Sequence, residues 1–173
     1  VQSVELLLDA ATDATVRAEW AALSTAGLPS QADHRGETNA PHVSVAVAGA
    51  FPGAAEELLA AVAAGIPVPV RLGAPVLFGG RRVVVARLVV TDRALLDLHT
   101  AVWSAVAGAA DPSPHTVPGR WVPHVTLARG IPAEEVATAL GTLGRERGGV
   151  PEMVGEAVSL RRWDSDARRA WTV

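Results

Sequence analysis

The chain has no cysteine, which excludes disulfides, thiolate nucleophiles and cysteine-built zinc sites. It is also short of charge: 19% of its 173 residues are charged, against 49% apolar. That balance excludes a disordered chain and provides ample material for a buried core. The formal net charge of −3 withholds the broad basic surface that a long nucleic-acid footprint needs for counterion release. A small phosphate ligand or the end of an RNA stays compatible, because one pocket can be positive while the whole is not. Neither HxH nor HExxH occurs, so no metal is expected and no cofactor is required. No positively charged leader precedes an apolar run, and every apolar run is too short to cross a bilayer. The expectation is a soluble cytoplasmic protein with no membrane partner.

What the chain does have is a near-duplication. Pro41 to Ala46 reads PHVSVA and Pro123 to Ala128 reads PHVTLA, placing His42 and His124 82 residues apart. The surroundings repeat in order. Periodicity predicts a strand at Val4 to Leu8, then a helix over Ala14 to Ala26 with Trp20 and Leu23 on one face, ended by Gly27 and Pro29. A polar loop, Ser30 to Ala40, leads to a strand at Val43 to Val47. A helix over Ala54 to Ala64 follows, with Leu58, Leu59 and Val62 as its stripe. Next come a short strand at Val68 to Leu72 and a hairpin from Pro75 to Val90, broken at Gly79-Gly80.

The second half runs through a strand at Val83 to Val90, a helix from Asp92 to Ala107, a proline-rich loop at Asp111 to Pro118 and the strand Val125 to Ala128. A helix from Ala133 to Leu143, glycine-rich Gly144 to Gly149 and a strand near Ala157 to Leu160 complete it. The same shift carries Leu6-Leu7-Leu8 onto Leu88-Val89-Val90 and Trp20 onto Val102, beside Trp103, so the repeat extends beyond six residues. The fold class expected is α+β: one bilobal, pseudo-twofold domain over residues 1–173. Its lobes lie near 1–75 and 83–173, joined by the hairpin and open to strand exchange. The histidine strands would sit side by side at the centre and line a cleft, with helices outside.

Alternate strand residues share a face, so His42 projects with Ser44 and His124 with Thr126, while Val43, Val45, Val125 and Leu127 face the core. Imidazole titrates near neutrality, at about 6.5. Two imidazoles flanking a phosphodiester can therefore act in turn as base and acid, each typically worth about 10² to 10⁴-fold. The hydroxyls of Ser44 and Thr126 would donate to the non-bridging oxygens, where transition-state charge gathers.

These residues resemble a known superfamily, the two-histidine (2H) phosphoesterases, and especially its 2′-5′ RNA ligase/cyclic phosphodiesterase (LigT-like) branch. The family's pattern of His-apolar-Thr/Ser-apolar is met twice, by His42-Val43-Ser44-Val45 and His124-Val125-Thr126-Leu127. The resemblance covers essentially the whole chain. It implies catalytic histidines from both lobes and hydrolysis of a 2′,3′-cyclic phosphate on a nucleotide or RNA end to a 2′-phosphate. It equally implies reversible 2′-5′ joining of RNA ends. His42 and His124 would be base and acid in an order left open, with Ser44 and Thr126 holding the phosphate. A non-catalytic RNA- or phosphate-binding module is the alternative from another class. The partner expected is a cyclic nucleotide or a short RNA terminus.

Around this centre Arg120, Trp121 and Arg129 are candidates for the substrate rim. Trp121 offers a ring for stacking a base, whereas simple alternation places Arg129 opposite Thr126. His34 and His115 lie in loops, and His99 reads as a helix-face residue. Arg161, Arg162, Arg168 and Arg169 read as a charge-mixed surface segment with Asp164 and Asp166.

Overall fold

The structure, a computed structural model, describes residues 1–146 and 152–173. Part of the glycine-rich segment Gly144 to Gly149 lies outside the described residues. The elements repeat as β1 (Gln2–Leu8), α1 (Ala10–Thr25), β2 (His42–Ala48), α2 (Ala55–Ala63) and β3 (Val68–Gly79). The second series is β4 (Arg82–Val90), α3 (Arg93–Ala105), β5 (His124–Pro132), α4 (Val136–Glu146) and β6 (Met153–Asp164), followed by β7 (Arg169–Thr172).

The architecture is α+β, and all strands pair antiparallel in one sheet of order β2-β1-β6-β3-β4-β5, with β7 on β6. Exchanging each strand for its repeat partner reverses this order onto itself, so a pseudo-twofold passes between β6 and β3. Consequently β6, from the second half, pairs with β1 of the first. The histidine strands occupy the two ends of the sheet rather than neighbouring central places. Strand twist accumulates across the sheet, and the ends curl until Cα atoms of β2 and β5 approach within 8 Å.

Helix placement crosses over as well: α1 packs on α4, β5 and β6, and α3 packs on α2, β2 and β3. Each half's first helix thus backs the other half's histidine strand. The α1 helix begins ahead of the alanine-rich run because Asp9 caps it, its carboxylate accepting from the Ala11 and Thr12 amides. Thr12, Val16, Glu19, Trp20 and Leu23 form its buried face, at the spacing an amphipathic helix requires. Asp92 caps α3 through the Leu95 amide.

The fully buried Val43, Val45, Val125 and Leu127 anchor the histidine strands, each such side chain contributing roughly 1.5 to 3 kcal/mol. Leu58, placed on the apolar stripe of α2, is instead exposed, and Leu59 carries the contact. Arg87 is wholly buried; its guanidinium binds the Glu19 carboxylate and the Gly73 carbonyl, tying α1 to β4 and β3.

Three expectations change here. The short strand and the first hairpin arm are one strand, β3, whose ladder with β4 slips between Leu72 and Pro75, at Gly73-Ala74. The C-terminal strand is longer than its apolar centre and is followed by β7. Finally, the C-terminal arginines are not uniformly a surface segment. Arg162 is buried against Glu56 and lies over the rings of Phe51 and Trp171, at 4.7 and 5.1 Å. Arg161 binds Glu5, whereas Arg168 and Arg169 are exposed. Cation-π contact and ion pairing bring in side chains whose sequence neighbourhood reads as solvated. Among the described residues no helix is long and apolar enough to cross a membrane.

Candidate active site

His42 and His124 open β2 and β5. In each, Nδ1 lies 2.8 Å from the carbonyl oxygen two residues back, Ala40 for His42 and Val122 for His124. A carbonyl only accepts, so Nδ1 carries the proton and Nε2 is left for chemistry. Between carbonyl and imidazole stand Pro41 and Pro123, whose locked φ restrains the approach. Ser44 and Thr126 are half-buried on the same strand faces as the histidines, between buried neighbours.

The backbone of both strands is held by indoles. Trp121 Nε1 donates to the Ser44 carbonyl at 2.9 Å, and Trp20 Nε1 donates to the Thr126 carbonyl at 3.0 Å. Trp103 adds a bond to the Val45 carbonyl at 3.2 Å. The two hydroxyl-bearing residues are therefore pinned in matching fashion, each by a tryptophan from the other half.

Both strands also carry a β-bulge at the same repeat position. The β1–β2 ladder slips where Val45 is extra, and the β4–β5 ladder slips where Leu127 is extra. A bulge resets alternation by one residue. This turns Arg129 back to the cleft side, and it lines the same cavity as His124 instead of facing away.

That cavity, of about 510 Å³, is bounded by Ser44, Phe78, Arg120, Trp121, His124 and Arg129, with His115 at the loop side. His42 and Thr126 lie outside its walls, in the matching positions of the other half. His99, read as a helix-face residue, is buried and stacks on Trp121, with centroids 4.1 Å apart and planes 5° from parallel. Its Nε2 lies 2.8 Å from the Thr116 carbonyl, and burial holds its pKa below the ordinary 6.5. A neutral imidazole thus supports the indole from behind. Arg81 and Arg82 lie beside Pro132 and Glu134 in a separate depression, where Arg82 donates to the Gly130 carbonyl.

Electrostatically the two imidazoles differ. Burial first, then the charges of Arg129 and His42, push His124 below 6.5, against a raising contribution from the Val122 bond. His42 Nε2 lies 3.7 Å from Glu5 Oε1. Glu5 is buried; its Oε2 takes two bonds from Arg161, at 2.9 and 2.6 Å, and Oε1 takes one from the Ser3 hydroxyl at 2.7 Å. Sequence reading missed Glu5. The available signal was a carboxylate inside an otherwise apolar strand, VELLL, which demands a partner once buried.

Among the described residues no group of three or more His, Cys, Asp or Glu side chains is placed to hold a metal ion. The site offers two Nε2 atoms, two hydroxyls and an aromatic, arginine-rimmed cavity, a set suited to proton transfer around a bound phosphate.

Comparison with known proteins gives a match to the 2′-5′ RNA ligase superfamily model over residues 12–167. No match is found among curated proteins. Among solved structures, the chain is similar to LigT of E. coli in apo form, at TM-score 0.54 and 15% identity, covering 99% of this chain and 93% of LigT. Usb1 of Kluyveromyces marxianus is similar at TM-score 0.52 and 14% identity, covering 99% and 96%. A structure of the same Usb1 with uridine monophosphate gives TM-score 0.51 at 14% identity, with the same coverage. At these identities the likeness is one of fold.

Proposed function

The chain belongs to the 2′-5′ RNA ligase superfamily, and on that premise we propose that it hydrolyses a 2′,3′-cyclic phosphate on a nucleotide or RNA end by two-histidine acid–base catalysis. The observation that carries this reading is the matched pair of Nδ1 bonds, which engages Nδ1 in each half and makes Nε2 the proton-transferring atom, that of His42 standing 3.7 Å from Glu5. His124, held neutral, takes a proton from water as the water oxygen attacks phosphorus. The bond from phosphorus to the 3′ oxygen breaks, and His42, its Nε2 beside Glu5, delivers a proton to that oxygen. A 2′-phosphate and a 3′-hydroxyl result, and solvent exchange restores both imidazoles.

Ser44 and Thr126 donate to the non-bridging oxygens, where preorganised donors act most strongly. Trp121 supplies a flat wall for the base, and Arg120 and Arg129 rim the cavity. The uridine monophosphate in the similarly folded Usb1 supports a nucleotide as occupant.

The test is incubation, with metal chelated, against nucleoside 2′,3′-cyclic phosphates and short RNAs ending in one, with the product isomer identified. A 2′-phosphate is expected. His42→Ala and His124→Ala should each lower kcat about 10² to 10⁴-fold. Turnover near the parent rate in either variant, or a 3′-phosphate product, overturns the proposal.

A further inference from the structure

The pseudo-twofold relating the histidine strands also relates the loops that lead into them. The loop before β5 brings His115, Arg120 and Trp121 to the cavity beside Ser44. The loop before β2 makes a second pocket, of about 310 Å³, where Arg17 and Trp20 of α1 meet His34, Arg35 and Asn39. Asn39 stands at the repeat position of Trp121. The connection to the reacting centre is Trp20: it lines this pocket, with the Arg17 guanidinium over its ring, while its Nε1 holds the Thr126 carbonyl. Trp121 lines the first cavity and holds the Ser44 carbonyl in the same manner.

The pocket is shaped by its own bonds. Asn39 Nδ2 donates to the carbonyls of Gln31 and His34 at 2.9 and 3.0 Å, closing the loop three residues ahead of His42. Arg17 donates to the Asn39 carbonyl at 3.3 Å and to Asp13 at 2.6 Å. Its charge is therefore shared with an acid. His34 and Arg35 are exposed and, among the described residues, make no ion pair. No acidic side chain lines the pocket. A locally basic concavity on a chain of net charge −3 suits one phosphate, which a guanidinium meets with paired donors.

We infer that the Arg17–His34–Arg35 pocket is a second phosphate subsite, holding the phosphate one nucleotide away from the reacting one in an RNA strand. The inference rests on the proposed reading, in which the reacting phosphate lies between the histidines. The two pockets then flank it on opposite sides. The preferred substrate is accordingly an RNA end of two or more nucleotides, rather than a mononucleotide.

Calorimetric titration with uridine 3′-monophosphate and with a triuridylate ending in a 3′-phosphate tests this, since neither ligand contains a cyclic phosphate. Parent protein should bind the trinucleotide more tightly. Arg35→Glu should lower the trinucleotide-to-mononucleotide affinity ratio about tenfold and reduce the salt dependence of trinucleotide binding by about one ion. A His34→Ala/Arg35→Ala variant should do the same to a lesser degree. No preference in the parent, or an unchanged ratio in both variants, overturns the subsite. Turnover of the cyclic-ended forms of both ligands is read in the same samples. Absent turnover with a variant-sensitive ratio removes the proposed reaction and keeps the subsite, and normal turnover with an unchanged ratio does the reverse.

Discussion

His42 and His124 share a strand position, a preceding proline and a hydrogen bond to the carbonyl two residues back, yet their neighbours have diverged. Beside His42 stands the buried carboxylate of Glu5. Beside His124 stand the ring of Phe78, 4.7 Å away, and the charge of Arg129. The residue 82 positions after Glu5 is Arg87, which turns into the core to meet Glu19. Duplication alone supplies two interchangeable imidazoles. In the proposed mechanism, divergence of the surroundings is what separates a base from an acid, because two like groups acquire distinct roles only when their environments differ.

The largest way to break the comparison is to remove one imidazole. The single alanine variants at 42 and 124 should be about equally damaging, and the double variant little worse than either, because residues acting as a unit are not additive. Single-turnover kinetics on a cyclic-ended RNA read this directly. Next in size is the contrast between Glu5 and Arg87. Arg87→Met strands the buried Glu19 carboxylate and should destabilise the fold by about 3 to 5 kcal/mol, seen as a lower denaturation midpoint.

Glu5→Gln keeps the shape beside His42 but removes the charge, and should lower kcat about tenfold with little change in KM. An equal fall in activity for Glu5→Asp and Glu5→Gln would refute a charge-based role. Trp121→Ala should raise KM for a nucleotide by the equivalent of about 1 to 3 kcal/mol of lost stacking, whereas Trp121→Phe keeps the ring and should retain most of it. Steady-state titration of substrate distinguishes the two.

The smallest effect concerns pH. A base must be unprotonated, so with His124 as the proposed base activity should fall as pH drops through its pKa. That pKa is held below 6.5, first by burial and then by positive neighbours, so the acid limb of kcat/KM should lie below 6.5. Arg129→Gln removes one of those charges and should move the limb upward, toward 6.5. A limb that stays in place would assign the base role elsewhere.

The strand faces of the candidate site were legible from the residues alone. Alternation placed His42 with Ser44 and His124 with Thr126, and the buried valines and leucine confirm the faces. Arg129 was named for the rim but assigned to the wrong strand face, because a bulge leaves no trace in a hydrophobic pattern: Leu127 and Ala128 are both buried, and only the ladder shows which is extra. Glu5 and His99 were missed because each is a lone polar residue on an element read as apolar or amphipathic, and their partners Arg161 and Trp121 are distant in sequence.

The local pattern by itself determined which strands carry imidazole and hydroxyl, which side each shows, and that the chain contains the unit twice, since strand periodicity belongs to the backbone. Tertiary structure alone decided that those strands close on each other from opposite ends of the sheet. It also decided that β6 crosses to the first half and that one histidine faces a carboxylate while the other faces arginine. Twist, bulges and long-range ion pairs are set by what packs against each strand, and no residue encodes its packing partner in its own neighbourhood.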